Sequence, residues 1–149
     1  MFKRAFCSLL LIGMTAPALA KVTAVDGYVR LLPPGSPTTA AFMVLKNDAD
    51  QPVKLMAATS KAAGRVELHT HLHEKGVMKM RQIDSIEIPA KGEAVLKPGS
   101  LHIMLFEVGT LSEQTPFPLT LTMDDGQQLE LSLPVKPIAP QGDMQHMKH

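Results

Sequence analysis

Short apolar or alternating runs, each bounded by turn-forming residues, recur along most of the chain. They cover Thr23–Leu31, Ala40–Leu45, Val53–Ala57, Arg65–His71, Val77–Ile83, Ile86–Ile88, Ala94–Leu96, His102–Phe106, Leu119–Met123 and Gln128–Leu133. Period-two alternation is what a half-buried strand requires, because successive side chains point to opposite faces. Between the runs stand Pro33-Pro34-Gly35, Asn47-Asp48, Lys75-Gly76, Lys91-Gly92, Lys97-Pro98-Gly99 and Asp124-Asp125-Gly126, residue types that set tight turns. No stretch sustains a helical period with a cap, and Ala57–Ala63 has room for one helical turn at most. The pattern predicts an all-β domain, a Greek-key sandwich or barrel.

Both ends follow other patterns. Lys3 and Arg4 precede an apolar run from Ala5 to Met14, and Ala18-Leu19-Ala20 is a small-x-small cleavage pattern. The run is too short to span a bilayer, so residues 1–20 read as a secretory signal peptide cut after Ala20. Beyond Leu133, Pro134, Pro137 and Pro140 are expected to break any ladder, and Gln141–His149 holds no β-branched or aromatic residue. The expected organisation is a signal peptide over 1–20, a β domain over 21–135 and a flexible C-terminal tail over 136–149. That tail carries Met144, His146, Met147 and His149, a short His/Met tract of the kind that binds metal.

Composition narrows the chemistry. The 149 residues suffice for one domain with a core, and the formal net charge of +1 excludes a strongly basic nucleic-acid or membrane-binding surface. Removing Lys3 and Arg4 brings that charge to about −1. The chain has ten Met, six His and a single Cys, Cys7, which lies inside the signal segment. The exported part would therefore have no disulfide, no thiol redox chemistry and no thiolate for a blue-copper site. No phosphate-binding Gly-rich loop, G-x-S-x-G or paired-carboxylate signature is present.

What remains is imidazole and thioether. In the run after Leu101, Leu101, Ile103 and Leu105 share the face expected to be buried, and His102, Met104 and Phe106 share the other. His102 and Met104 can thus address one ion from a single strand. His69 and Met80 flank the Lys75-Gly76 turn and are expected to approach each other; Met78, on the same face as Met80, is a substitute ligand candidate whose expected role is packing. Cu(I) is soft and accepts thioether sulfur, which Zn²⁺, Mg²⁺ and Ca²⁺ bind poorly. Thioethers do not titrate, so only the imidazoles must be neutral for binding. Neutral donors also hold an ion less tenaciously than thiolates, as a protein that hands its ion onward requires.

His69, ten residues, Met80, twenty-one residues, His102, one residue and Met104 reproduce the mark H-x10-M-x21-H-x-M. The flanks Val66-Glu67-Leu68-His69, Gly76-Val77-Met78-Lys79-Met80 and Lys97-Pro98-Gly99-Ser100-Leu101-His102-Ile103-Met104-Leu105 agree, as do Ala40-Ala41-Phe42-Met43 and Asn47. Over Val22 to Val135 the chain resembles the periplasmic copper chaperones of the PCuAC family. The resemblance implies a cupredoxin-like β-sandwich with Cu(I) held near the surface by His69, Met80, His102 and Met104. It also implies periplasmic delivery of copper toward the CuA centre of a respiratory cytochrome oxidase, sometimes beside a Sco-type protein. A His/Met-rich tail linked to Cu(II) would suit Met144, His146, Met147 and His149. The chain departs from the pattern at Thr70-His71-Leu72-His73, whose two added histidines raise the question of competition with His69.

Two other readings compete. On an unbroken strand His69, His71 and His73 would share one face and form a catalytic Zn²⁺ or Cu(II) site, with Glu67 or Glu74 as base. That reading makes the chain a metal-dependent exported enzyme and leaves Met80, His102 and Met104 without a role. The simpler expectation is that His71 and His73 are solvated strand-end residues. The other reading is a metal-free adhesion or scaffold sandwich, since a fold does not fix a function.

Overall fold

The computed structural model describes residues 22–137. The signal segment and the tail residues Met144, His146, Met147 and His149 lie outside the described residues. The described chain is all-β, as its alternation requires. Its strands are β1 (Val22–Leu31), β2 (Thr38–Asn47), β3 (Val53–Thr59), β4 (Arg65–Glu74), β5 (Val77–Gln82), β6 (Ile86–Ile88), β7 (Glu93–Leu96), β8 (His102–Phe106), β9 (Phe117–Met123), β10 (Gln128–Leu133) and β11 (Val135–Pro137). One sheet runs β11-β1-β2-β8-β4-β5, with β7 also paired to β2; the other runs β10-β9-β3-β6.

The two sheets form a sandwich around the alternate residues that face inward. Leu45, Leu55, Ile88, Ile103, Leu105, Leu119, Leu121 and Met123 are fully buried there. Burial of one such side chain stabilises the fold by roughly 1.5–3 kcal/mol, which fixes the register of each strand because a one-residue slip would expose the whole set. Asn47, buried at the end of β2, has its polar atoms satisfied. Its Nδ2 donates to Gln51 O (2.8 Å) and Ile88 O (3.2 Å), and Ala49 N donates to its Oδ1 (2.9 Å). These bonds tie the turn after β2 to the opposite sheet.

Two boundaries differ from expectation. The ladder does not end at Pro134, because Val135–Pro137 pairs in parallel with Val29–Leu31 and Val29 N donates to Pro134 O at 2.9 Å. β11 is an edge strand, where the missing N–H of Pro137 disrupts nothing. β4 is also longer than predicted, continuing past His71 to Glu74.

The feature that builds the site is a break in one strand. β2 pairs through Thr38–Ala41 with β8 and through Met43–Lys46 with β7, so β7 and β8 lie end to end along the same edge. Lys97–Leu101 leaves the sheet between them. Ser100 N donates to Lys97 O at 3.1 Å and Gly99 has φ of 82°. This is a type II turn, with Pro98 presetting its first corner and Gly99 supplying the positive φ at the second.

Candidate metal centre

The outer face of β8, β4 and β5 carries the residues of interest. His69 pairs directly with His102, and Glu67 with Met104. On the other side of β4, His71 pairs with Met80, His73 with Met78 and His69 with Gln82. The inward expectation for Ile103 and Leu105 holds, since both are fully buried in the core. His102 and Met104 accordingly face outward, as predicted.

Register decides which imidazole meets which thioether. The two-residue turn Lys75-Gly76, with φ of 49° and 77°, pairs Glu74 with Val77. Counting back along the hairpin places His71, not His69, opposite Met80. Because the turn was visible in the sequence, this pairing was open to the same arithmetic. The expectation that His71 is a solvated strand-end residue is corrected: it is partly buried and lines a cavity with Met80, His102 and Met104. That cavity, about 250 Å³, is walled by Phe42 and Arg30. His73 and Met78 are exposed near the hairpin tip, so the packing role expected of Met78 is not found.

The donor atoms within this group are set by their hydrogen bonds. Ser100 O lies 2.9 Å from His102 Nδ1 and 3.3 Å from His71 Nδ1. A carbonyl can only accept, so both rings donate from Nδ1 and, when neutral, turn an Nε2 lone pair outward. Met80 Sδ is 3.0 Å from His102 Nε2. With the ring proton on Nδ1, these are two electron-pair donors in contact. A tetrahedral ion with bonds of roughly 2.0 Å to nitrogen and 2.3 Å to sulfur would hold such a pair about 3.5 Å apart, a small adjustment for a half-exposed Met side chain.

His69 has the opposite arrangement. It is buried, does not line the cavity, and sends Nε2–H to Glu67 Oε2 at 2.7 Å. Glu67 is braced in turn by Arg65 Nε at 3.0 Å, and the Arg65 guanidinium lies 4.2 Å from the centre of the Phe106 ring. The remaining His69 nitrogen, Nδ1, is buried without a hydrogen-bond partner. An orphaned imidazole nitrogen costs free energy in a protein interior, and a metal ion is one partner that would remove the cost. The carboxylate on the far nitrogen is the usual outer support of a metal-binding histidine.

Burial pushes the His102 imidazole below the ordinary histidine value; the Ser100 carbonyl opposes this, and the neighbouring His71, His69 and Arg30 reinforce it. The ring is thereby kept neutral, as a metal ligand must be. Among the described residues, no group of three or more His, Cys, Asp or Glu side chains is placed to hold a metal. His69, His71 and His73 share a face, but the outer two are roughly 13 Å apart along the strand, too far for all three to converge on one ion. Any ion held here would depend on the thioethers as well. A neutral set of imidazole and thioether donors suits a soft ion of low charge.

The profile of the LpqE-like family ("Putative lipoprotein LpqE-like") matches residues 22–135. A relative from Leifsonia xyli subsp. xyli, "Putative lipoprotein Lxx21020", is 35% identical over 68% of this chain and 63% of its own length. The chain thus spans less than two thirds of that curated relative, and 51% of an uncharacterised Rickettsia prowazekii relative, RP573. Among solved structures, CuI-DR1885 from Deinococcus radiodurans is 31% identical, with a TM-score of 0.62 over 84% of this chain and 83% of its own. The copper-bound PCuAC domain from PmoF2 superposes with a TM-score of 0.66 over 80% of this chain and 96% of its own; at 19% identity that likeness is one of fold. The outward His-x-Met strand, the β-sandwich that carries it and a profile match across nearly all the described residues agree, and the chain belongs to the LpqE-like, PCuAC-related family.

Proposed function

We propose that this chain is an exported copper carrier that binds Cu(I) through His69, Met80, His102 and Met104 and passes it to a copper-accepting protein. The observation that carries the reading is the contact between Met80 Sδ and His102 Nε2, with Met104 in the same cavity and His69 Nδ1 buried without a partner. The related structures described as copper-bound and as CuI-DR1885 support copper as the cargo. The monovalent state follows from the donor set, since two thioethers and neutral imidazoles favour a soft ion.

Each side chain then has a distinct task. His102 and Met104 project from one strand of the sheet interior and fix the ion's position. Met80, at the exposed edge strand, closes the site and gives way for release. Glu67 orients His69. None of these steps needs a nucleophile or an activated water, and the function is that of a carrier, not an enzyme.

The finer assignments complete the proposal. Residues 1–20 serve as a signal peptide, residues 21–135 act in the periplasm, and the acceptor is a respiratory oxidase subunit with a CuA-type centre or a Sco-type protein. Met144, His146, Met147 and His149 in the tail form an auxiliary Cu(II) site. The lipoprotein description of the relatives supports export, and among the described residues no helix is long and apolar enough to cross a membrane.

The test is anaerobic titration of the mature chain with Cu(I), read by X-ray absorption at the metal. Sulfur scattering is expected in the wild type and should vanish in a Met80→Leu, Met104→Leu double variant. Nitrogen-only ligation unchanged by the double substitution would overturn the reading in favour of a histidine-based site.

A further inference from the structure

Two imidazoles flank His102, and they differ in every respect that governs ligand exchange. His69 lies on the inner side, 8% exposed, with its ring centre 5.7 Å from that of His102. His71 lies on the open side, lines the cavity, and has its ring centre 5.0 Å from that of His102. His69 keeps its proton on Nε2, against Glu67, and has Nδ1 free; His71 keeps its proton on Nδ1, against Ser100 O, and has Nε2 free. The H-x10-M-x21-H-x-M spacing assigns no role to His71.

Resting on the proposed copper-carrier reading, we infer that His71 is an exchange ligand. It takes hold of Cu(I) through Nε2 as His69 Nδ1 lets go, so that the ion moves between a closed inner position and an open outer one. Met80, His102 and Met104 remain bound throughout. In the outward direction the Cu–Nδ1 bond to His69 breaks and a Cu–Nε2 bond to His71 forms. Written for neutral rings, the step leaves each proton on the nitrogen that Glu67 or Ser100 already holds. No proton moves and no electron is transferred, so the step carries no charge penalty in a partly desolvated cavity. The type II turn has a direct part in this. By aiming one carbonyl at two rings, it sets His71 and His102 to the same tautomer.

An exchange ligand alters rates in both directions and leaves the resting affinity alone, since it stabilises only the intermediate between two states. A resting ligand alters the affinity itself. Mature protein loaded anaerobically with one Cu(I) is mixed in stopped flow with bicinchoninate, a coloured Cu(I) chelator, and affinities are measured separately by equilibrium competition. His71→Ala, and His71→Asn as a variant that keeps a polar side chain on the strand, should slow both release and uptake by about tenfold while changing affinity by less than about threefold. His69→Ala should weaken affinity by about tenfold or more and still exchange quickly. Wild-type exchange rates in both His71 variants would overturn the inference and leave the carrier reading standing. So would an affinity loss confined to the His71 variants, which would make His71 the resting ligand. Wild-type protein that takes up no Cu(I) with sulfur scattering would defeat the carrier reading itself, and the inference with it.

Discussion

His69 and His102 stand directly opposite each other across β4 and β8, with ring centres 5.7 Å apart and His71 on the far side of the same pair. Burial, reinforced by the two neighbouring rings, lowers the His102 imidazole from the ordinary histidine value.

That relationship fixes a pH dependence. In the unfolded chain His102 titrates near its ordinary value of 6.5; in the folded chain burial lowers it. Between the lowered value and 6.5 the unfolded state holds a proton that the folded state does not. Stability contributed by this residue is therefore intact above 6.5, falls as the pH drops through that window, and levels off once the folded ring is also protonated. Urea midpoints measured across the window should decline more steeply for wild type than for His102→Gln. Equal slopes would show that the ring titrates normally. Cu(I) uptake should likewise persist to lower pH than an ordinary histidine would allow.

Glu67 is expected to act on the metal through His69. Glu67→Ala removes the acceptor for Nε2–H and frees Arg65, whereas Glu67→Gln retains a neutral acceptor. Loss of an outer-shell partner of this kind costs roughly 10–100-fold in metal affinity. Equilibrium competition should therefore rank the proteins wild type, then Gln, then Ala, with sulfur scattering kept in all three. An Ala variant that binds as tightly as wild type would remove Glu67 from the site.

The floor of the site is expected to be as sensitive as its donors. Ile103 lies between His102 and Met104, points into the core and is fully buried. Ile103→Ala should lower stability by about 2–5 kcal/mol through lost burial and the cavity left behind. Chemical unfolding measures the loss directly. A value below about 1 kcal/mol would mean that the sheets close over the gap.

Much of this was legible in the chain because period-two alternation is a local signal. Ile103 and Leu105 identified themselves as core, and so gave His102 and Met104 the opposite face, without knowledge of any neighbouring strand. The Lys75-Gly76 and Lys97-Pro98-Gly99 turns were equally plain. What stayed hidden depended on pairing between distant segments. That the His71–Met80 pair meets His102 and Met104 in one cavity follows from the pairing of β4 with β8, and that Ser100 O serves two rings follows from where a turn lands after β2 has paired with both β7 and β8. Pro134 misled for a related reason. A proline ends a ladder in the middle of a sheet, but β11 lies at its margin.

β5 has a single neighbour, β4, and all six of its residues are exposed. Outer hairpins separate from a sheet at a small fraction of the cost of global unfolding. The thioether of Met80 is thus mounted on an edge strand braced from one side, while His102 and Met104 stand on β8, wedged between β2 and β4. A visiting molecule that peeled the hairpin back by a residue or two would strip one donor from the ion, leave the rest of the cradle rigid, and meet no resistance from the hydrophobic interior.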